Sequence, residues 1–117
     1  MWNSVSNREQ SWGSGAFGAM KESAARLLIK EMKAAGIDFV SQLPDSGLAQ
    51  IYFLCKDDPD FEFVQATNEG EGVAIAAGAW LVGKKSITCM EASGLRVAGE
   101  ALARLGIGLG VPVLLLI

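Results

Sequence analysis

The chain has 117 residues, half of them apolar, with 13 acidic and 10 basic side chains and a net charge of -3. That length suits one domain with a modest core, and the apolar half excludes a solvated, disordered polypeptide. No block of like charge stands out, which argues against a nucleic-acid partner.

Residues 1–16 are rich in Ser, Asn and Gly and read as a flexible arm, leaving 17–117 for the domain. A helix is predicted over 20–35, with Ala24, Leu27, Leu28 and Met32 on its apolar face, Lys21, Lys30 and Lys33 in water, and Gly36 as its stop. Residues 37–43 read as a strand. Pro44-Asp45-Ser46 follows as a turn in which Asp45 or Ser46 can cap the next helix, 47–55. A solvated loop over 56–60 leads to a second strand, 61–66. The run from Thr67 to Trp80 reads as a helix with two glutamates at its mouth. Its body is so uniformly small or apolar that it should be buried on nearly every face. Gly83-Lys84-Lys85 turns the chain into a third strand, 86–91. Ser93-Gly94 starts a helix reaching about residue 105, broken by Gly106, Gly108 and Gly110, and 111–116 is a fourth strand.

Strands alternating with helices predict an α/β fold with a parallel sheet and right-handed crossovers. The strands are rich in Val, Ile, Leu and Phe, as expected when helices cover both faces. Ligands of such sheets bind beyond the carboxyl ends of the strands, which singles out the loops 43–46, 66–71 and 91–94. A strand at the very end of the sequence, with no helix to cover it, predicts a partial domain.

Function is bounded by what is missing. Without histidine the chain has no Cys–His zinc site and no Ser-His-Asp or Cys-His catalytic group. Cys55 and Cys89 lie in apolar runs without a CxxC spacing, as expected of buried thiols in a reducing compartment, so a cytoplasmic location is predicted. The N-terminus lacks a signal-like apolar stretch, and the longest apolar run, 111–117, is too short to span a bilayer. The two glutamates are therefore the main chemical signal. They are two apart and point to nearly opposite sides of the helix. A capping box on Asn68 accounts for Glu71, whereas Glu69 gains only the favourable field of the helix end.

The run Asn68-Glu69-Gly70, with Val73 and Ile75-Ala76-Ala77-Gly78, resembles the glutamate motif of thiamine-diphosphate enzymes. In particular it resembles the pyrimidine-binding domain of phosphonopyruvate and sulfopyruvate decarboxylases. Phe39-Val40 with Leu43-Pro44-Asp45-Ser46 is similar to that family's first strand and turn. Met90, Ser93, Gly94 and Leu95 are similar to a later segment, and 111–117 to the strand after it. The likeness covers about residues 24–117.

It implies a thiamine-diphosphate-binding fold and a non-oxidative carbon–carbon lyase acting on a 2-oxo acid. Glu69 would be catalytic and cofactor-binding, bonding N1′ of the aminopyrimidine and favouring its imino tautomer. Ser93 and Gly94 would lie near the pyrimidine ring, with Asp45 and Ser46 on the substrate side. The residues' own reading stays open beside this: Asp45 and Ser46 as a cap, Ser93 and Gly94 as a helix start. No Gly-Asp-Gly with a downstream Asn occurs, so Mg2+ and the diphosphate would be held by a partner subunit or domain, in a homo- or hetero-oligomer. The chain departs from the family with Glu91-Ala92 in place of Gln-Asn and Arg96-Val97 in place of Gly-Asn, leaving substrate identity open. An acetolactate-synthase-like carboligase and a catalytically silent regulatory subunit of the same fold are the alternatives.

Overall fold

The computed structural model describes residues 20–117, so the arm read into residues 1–16 lies outside the described residues. The chain runs α1 (Glu22–Ala34), β1 (Phe39–Gln42), α2 (Ala49–Lys56), β2 (Glu62–Gln65), α3 (Glu69–Leu81), β3 (Ser86–Cys89) and α4 (Gly94–Ala101). A π-helical continuation, Leu102–Gly108, leads to β4 (Leu114–Leu116). The strands form one parallel sheet in the order β2-β1-β3-β4. This is the α/β class that the alternation predicts.

The order of the strands positions everything else. From β1 the chain steps outward to β2, then crosses back over β1 to β3 and continues to β4. The direction reverses once, so the helices are shared between the two faces. Ala25, Ile29 and Met32 of α1 and Ile51 and Cys55 of α2 pack with Val40, Ile87 and Cys89 on one face. Val73 of α3 packs with Met90 and Ala98 of α4 on the other. The reversal lies between β1 and β3, and the crevice at such a switch point is where doubly wound sheets take their ligands.

Three local expectations are corrected. On α1 the buried residues are Ala25, Ile29 and Met32, whereas Ala24 and Leu27 face water, Leu27 at 58% exposure. Two apolar stripes overlap in this helix. The one with the small Ala25 at its centre fits the sheet more closely, and it turns Lys33 toward Asp58 and Asp60, with which it pairs. The helix after β3 does not break at Gly106. It widens into a π-helix that ends at Gly108 with Leu109 as its cap, and Gly110, whose φ of +69° few other residues adopt, turns the chain away.

The third correction concerns α3. Ala74, Gly78 and Leu81 lie exposed along one side of it and Trp80 is 41% exposed, so the sheet and α4 cover only part of its apolar surface. The strand faces that α3 meets are lined by Ser41, Ser86 and Thr88 instead of by aliphatic side chains. Ser41 Oγ donates to the Gly72 carbonyl (2.8 Å) and Ser86 Oγ to the Ala76 carbonyl (2.7 Å). These buried hydroxyls pin a helix of glycine and alanine to the sheet through its backbone. They hold the N-terminus of α3 at a fixed height over the carboxyl ends of β1 and β3.

Candidate functional site

The three loops singled out from the sequence emerge at one end of the sheet, and the segment 91–94 after the central strand β3 touches both others. On one side it meets the turn after β1. Glu91 Oε1 accepts from the Gly47 N–H (2.9 Å) and from Ser46 Oγ (3.3 Å). Gly47 makes this approach possible, because a Cβ there would lie 3.0 Å from Glu91 Oε1. On the other side the segment meets α3. A Cβ on Gly94 would lie 2.8 Å from Glu69 Oε1 and 2.9 Å from its Cδ. Glu69 is thus seated in a notch that only glycine leaves open.

The two glutamates at the mouth of α3 are not equivalent. Asn68 is the N-cap, its side chain accepting from the Glu71 N–H (2.9 Å). Glu71 Oε2 accepts in return from the backbone N–H and the hydroxyl of Thr67, one residue earlier than an ordinary capping box. These hydrogen bonds, the hydroxyl's first, hold its carboxyl below the usual carboxylate range. Glu71 is fully used as a cap. The Glu69 carboxylate, half-buried over Gly94, makes no hydrogen bond to a described residue.

The structure divides the residues assigned to the substrate side. Asp45 Oδ1 accepts from the N–H of Leu48 (2.7 Å), the residue just before α2, while its Oδ2 is buried without a partner. Burial pushes its carboxyl above the ordinary range, the Leu48 N–H pulls it back, and the neighbouring Glu91 carboxylate raises it further. Ser46, Gly47, Leu48, Met90, Glu91 and Ser93 line an open cleft of about 720 Å³ at the switch point. Asp45 sits behind that wall, beside Pro44, Ala49 and Tyr52. Ser93 faces the cleft and caps nothing with its side chain. Glu69 and Gly94 meet beside the cleft, and Ser46 and Gly47 meet Glu91, so the 91–94 segment is common to both groups.

Two features were not anticipated from the sequence. One is Glu91, whose carboxylate joins the two lips of the crevice. Gly47, in a turn where a cap was expected, was its signal. The other is the hydroxyl face under α3, signalled by Ser41, Ser86 and Thr88 at alternate strand positions beside a helix of small residues. Both cysteines are free and buried, and burial raises both thiols, that of Cys55 to about 12, so neither is a ready nucleophile. Among the described residues no helix is long and apolar enough to cross a membrane.

No family model matches the chain. Against curated proteins it is 31% identical over 94 residues to the sulfopyruvate decarboxylase subunit alpha of Methanococcus maripaludis, a match covering 80% of this chain and 56% of that subunit. With the same subunit of Methanocaldococcus jannaschii it is 35% identical over 86 residues, or 74% of this chain and 51% of the relative. Over the matched span the chain is similar to sulfopyruvate decarboxylase alpha subunits. A phosphonopyruvate decarboxylase of Streptomyces viridochromogenes matches more briefly, at 34% identity over 68 residues, or 58% of this chain and 17% of that protein. The chain spans about half the length of the decarboxylase alpha subunits it matches, 51% of one and 59% of another.

Proposed function

We propose that this chain is the pyrimidine-binding part of a thiamine-diphosphate-dependent 2-oxo-acid decarboxylase, with Glu69 as the residue that engages the cofactor. The observation that carries the reading is the contrast between the two glutamates. Glu71 meets its hydrogen-bonding needs within the first turn of α3, whereas Glu69 is held over the Gly94 notch with its carboxylate free to accept a donor. Nothing in the capping of the helix calls for Glu69 to be there.

These residues fit the pyrimidine half of the cofactor. A carboxylate at the edge of a closely packed apolar wall forms a stronger hydrogen bond than one in water. The notch at Gly94 leaves room for the Glu69 side chain to lie along the base of the 91–94 segment, and Gly70, whose Cβ would sit 3.4 Å from the Val97 carbonyl, keeps α3 and α4 close beside it. When bound, the cofactor supplies the electron sink for loss of CO2. This chain's part is to orient the ring and hold the proton balance at its N1′. The sequence has no Gly-Asp-Gly, so in this reading Mg2+ and the diphosphate are held by a partner subunit or domain, consistent with relatives named as alpha subunits.

The test is Glu69→Gln in the chain assembled with its partner. Turnover of the 2-oxo acid is expected to vanish while assembly and the chain's melting temperature stay unchanged. Substantial retained turnover would sink the assignment.

A further inference from the structure

Two buried oxygen atoms at the carboxyl end of β1 have no donor: Oε1 of Gln42, the strand's last residue, and Oδ2 of Asp45 in the turn that follows. Gln42 is fully buried, and its amide is committed to this turn because Nε2 donates to the Leu48 carbonyl (3.1 Å). An ionised aspartate accepts hydrogen bonds and donates none, so a buried orphan oxygen on it is costly. Beside it lies a second carboxylate, Glu91, which the Gly47 N–H and Ser46 Oγ fix against the same turn. Glu91 is anchored to the two residues that follow Asp45, and a carboxylate so placed disfavours ionisation of the Asp45 carboxyl. One proton resolves the arrangement, since on Asp45 it turns an orphan acceptor into a donor toward Glu91.

We propose that Asp45 and Glu91 share one proton, and that this O–H···O bond is a clasp between the two lips of the crevice at the β1/β3 switch point. Glu91 is the positioning residue of the clasp. Asp45 anchors it to α2 through the Leu48 N–H, and Glu91 anchors it to the segment that carries Ser93 and Gly94. The titratable groups facing Asp45 are Glu91, the buried Cys89 thiol, and the Tyr52 hydroxyl, which is engaged with Gln65 Oε1 (2.6 Å). Burial and Glu91 both raise the Asp45 carboxyl. As the pH climbs through that raised value the proton leaves, two negative charges face each other, and the clasp loosens. The cleft wall is then mobile and more negative, which opposes binding of a 2-oxo-acid anion. That bearing on substrate rests on the function proposed above; the proton sharing does not.

The experiment follows the Asp45 carboxyl by carbon-detected NMR titration of the full chain, with amide exchange at Gly47 and Leu48. In the wild type, Asp45 is expected to titrate above an exposed aspartate, and Gly47 exchange to steepen through the same pH range beyond its ordinary base-catalysed rise. In Glu91→Gln the side-chain amide donates to an ionised Asp45. Its titration then falls to or below that of an exposed aspartate, and the extra steepening disappears. Asp45 titrating in the ordinary range in the wild type overturns the proposal without any variant, as does a midpoint that Glu91→Gln leaves unmoved. Neither result bears on Glu69, so failure of the clasp and failure of the decarboxylase reading are separable.

Discussion

The side chain of Glu69 rests on the bare Cα of Gly94, closely enough that a Cβ at position 94 would meet its carboxyl carbon at 2.9 Å. The two residues are on different helices and 25 positions apart in sequence, yet each fixes what the other can be. Gly94 is the first residue of α4, without positive φ, so its backbone does not need glycine. Its need for glycine is imposed by the glutamate.

Gly94→Ala therefore separates stability from function. Alanine is the better helix former, so the isolated chain should keep or slightly gain stability, within about 1 kcal/mol. Its methyl group must push the flexible Glu69 side chain aside. Displacing a catalytic group by about an ångström can cost on the order of 100-fold in rate. On the function proposed above, turnover of the chain assembled with its partner is expected to fall by roughly that factor. A normal rate with a normal melting curve would show that Glu69 does not work from the notch.

Asn68→Ala makes the opposite separation. It removes the acceptor for the Glu71 N–H at the start of α3. Loss of such a cap costs about 1 kcal/mol, which for a chain this size lowers the melting temperature by roughly 4 °C. Glu71→Ala removes the reciprocal bonds to Thr67 in the same turn, so the two substitutions together should cost less than their sum. Thermal melts of the two single variants and the double variant test this. Strict additivity would mean that the two side chains do not act as one cap.

How far this site was legible follows from where each signal sits in the sequence. The strands, the parallel order and the cap on α3 all rest on local pattern, and local pattern suffices for them. The Glu69–Gly94 contact does not, because nothing within four residues of either position requires the other. Only its two ends could be named, through resemblance. The misplaced face of α1 has the same origin: periodicity allows two stripes, and contact with Val40 and Ile51 chooses between them. Glu91 was visible only as a departure from a family pattern. Its role depends on the turn after β1, which the sheet brings beside it through the pairing of β1 with β3.

Close packing under α3 gives a third prediction. A Cβ on Gly72 would lie 2.9 Å from the buried hydroxyl oxygen of Thr88 and 3.6 Å from Ala66 Cβ. Neither neighbour is the end of a long side chain, so the helix itself must lift from the sheet. Gly72→Ala should cost about 1–3 kcal/mol despite the better helix propensity of alanine. Lifting α3 also strains the bond from Ser41 Oγ to the Gly72 carbonyl. Adding Thr88→Ala clears the nearest obstacle and should recover part of the loss, with a coupling of about 1 kcal/mol in urea unfolding. A double variant as unstable as the sum of its parts would place the strain elsewhere.

The last prediction concerns acid stability and lies at the far end of α1. Lys33 pairs with Asp58 (2.6 Å) and Asp60 (2.7 Å), with its ammonium 5.5 Å from the centre of the Phe61 ring. Burial works to raise the Asp58 carboxyl, but the Lys33 hydrogen bond, the Asp60 N–H and the Lys33 charge outweigh it, and the group ends below the usual range. Lys33 in turn lies above its usual range, chiefly through its hydrogen bonds to Asp58 and Asp60. The signs set the window. A depressed carboxyl contributes stability above its unfolded value and loses it as the pH falls through its folded one. A raised lysine contributes below its unfolded value and loses it as the pH rises through its folded one. The pair thus supports the fold across the whole neutral range and fails first in acid, where Asp58 takes up its proton. Lys33→Met keeps an unbranched side chain of similar length and removes the charge, and with it both ion pairs and the ammonium over the Phe61 ring. The stability difference between wild type and variant should be flat through neutral pH, shrink with added salt, and vanish as the pH falls through the Asp58 titration. A difference that persists in strong acid would assign the effect to the ammonium over the Phe61 ring and not to the ion pairs.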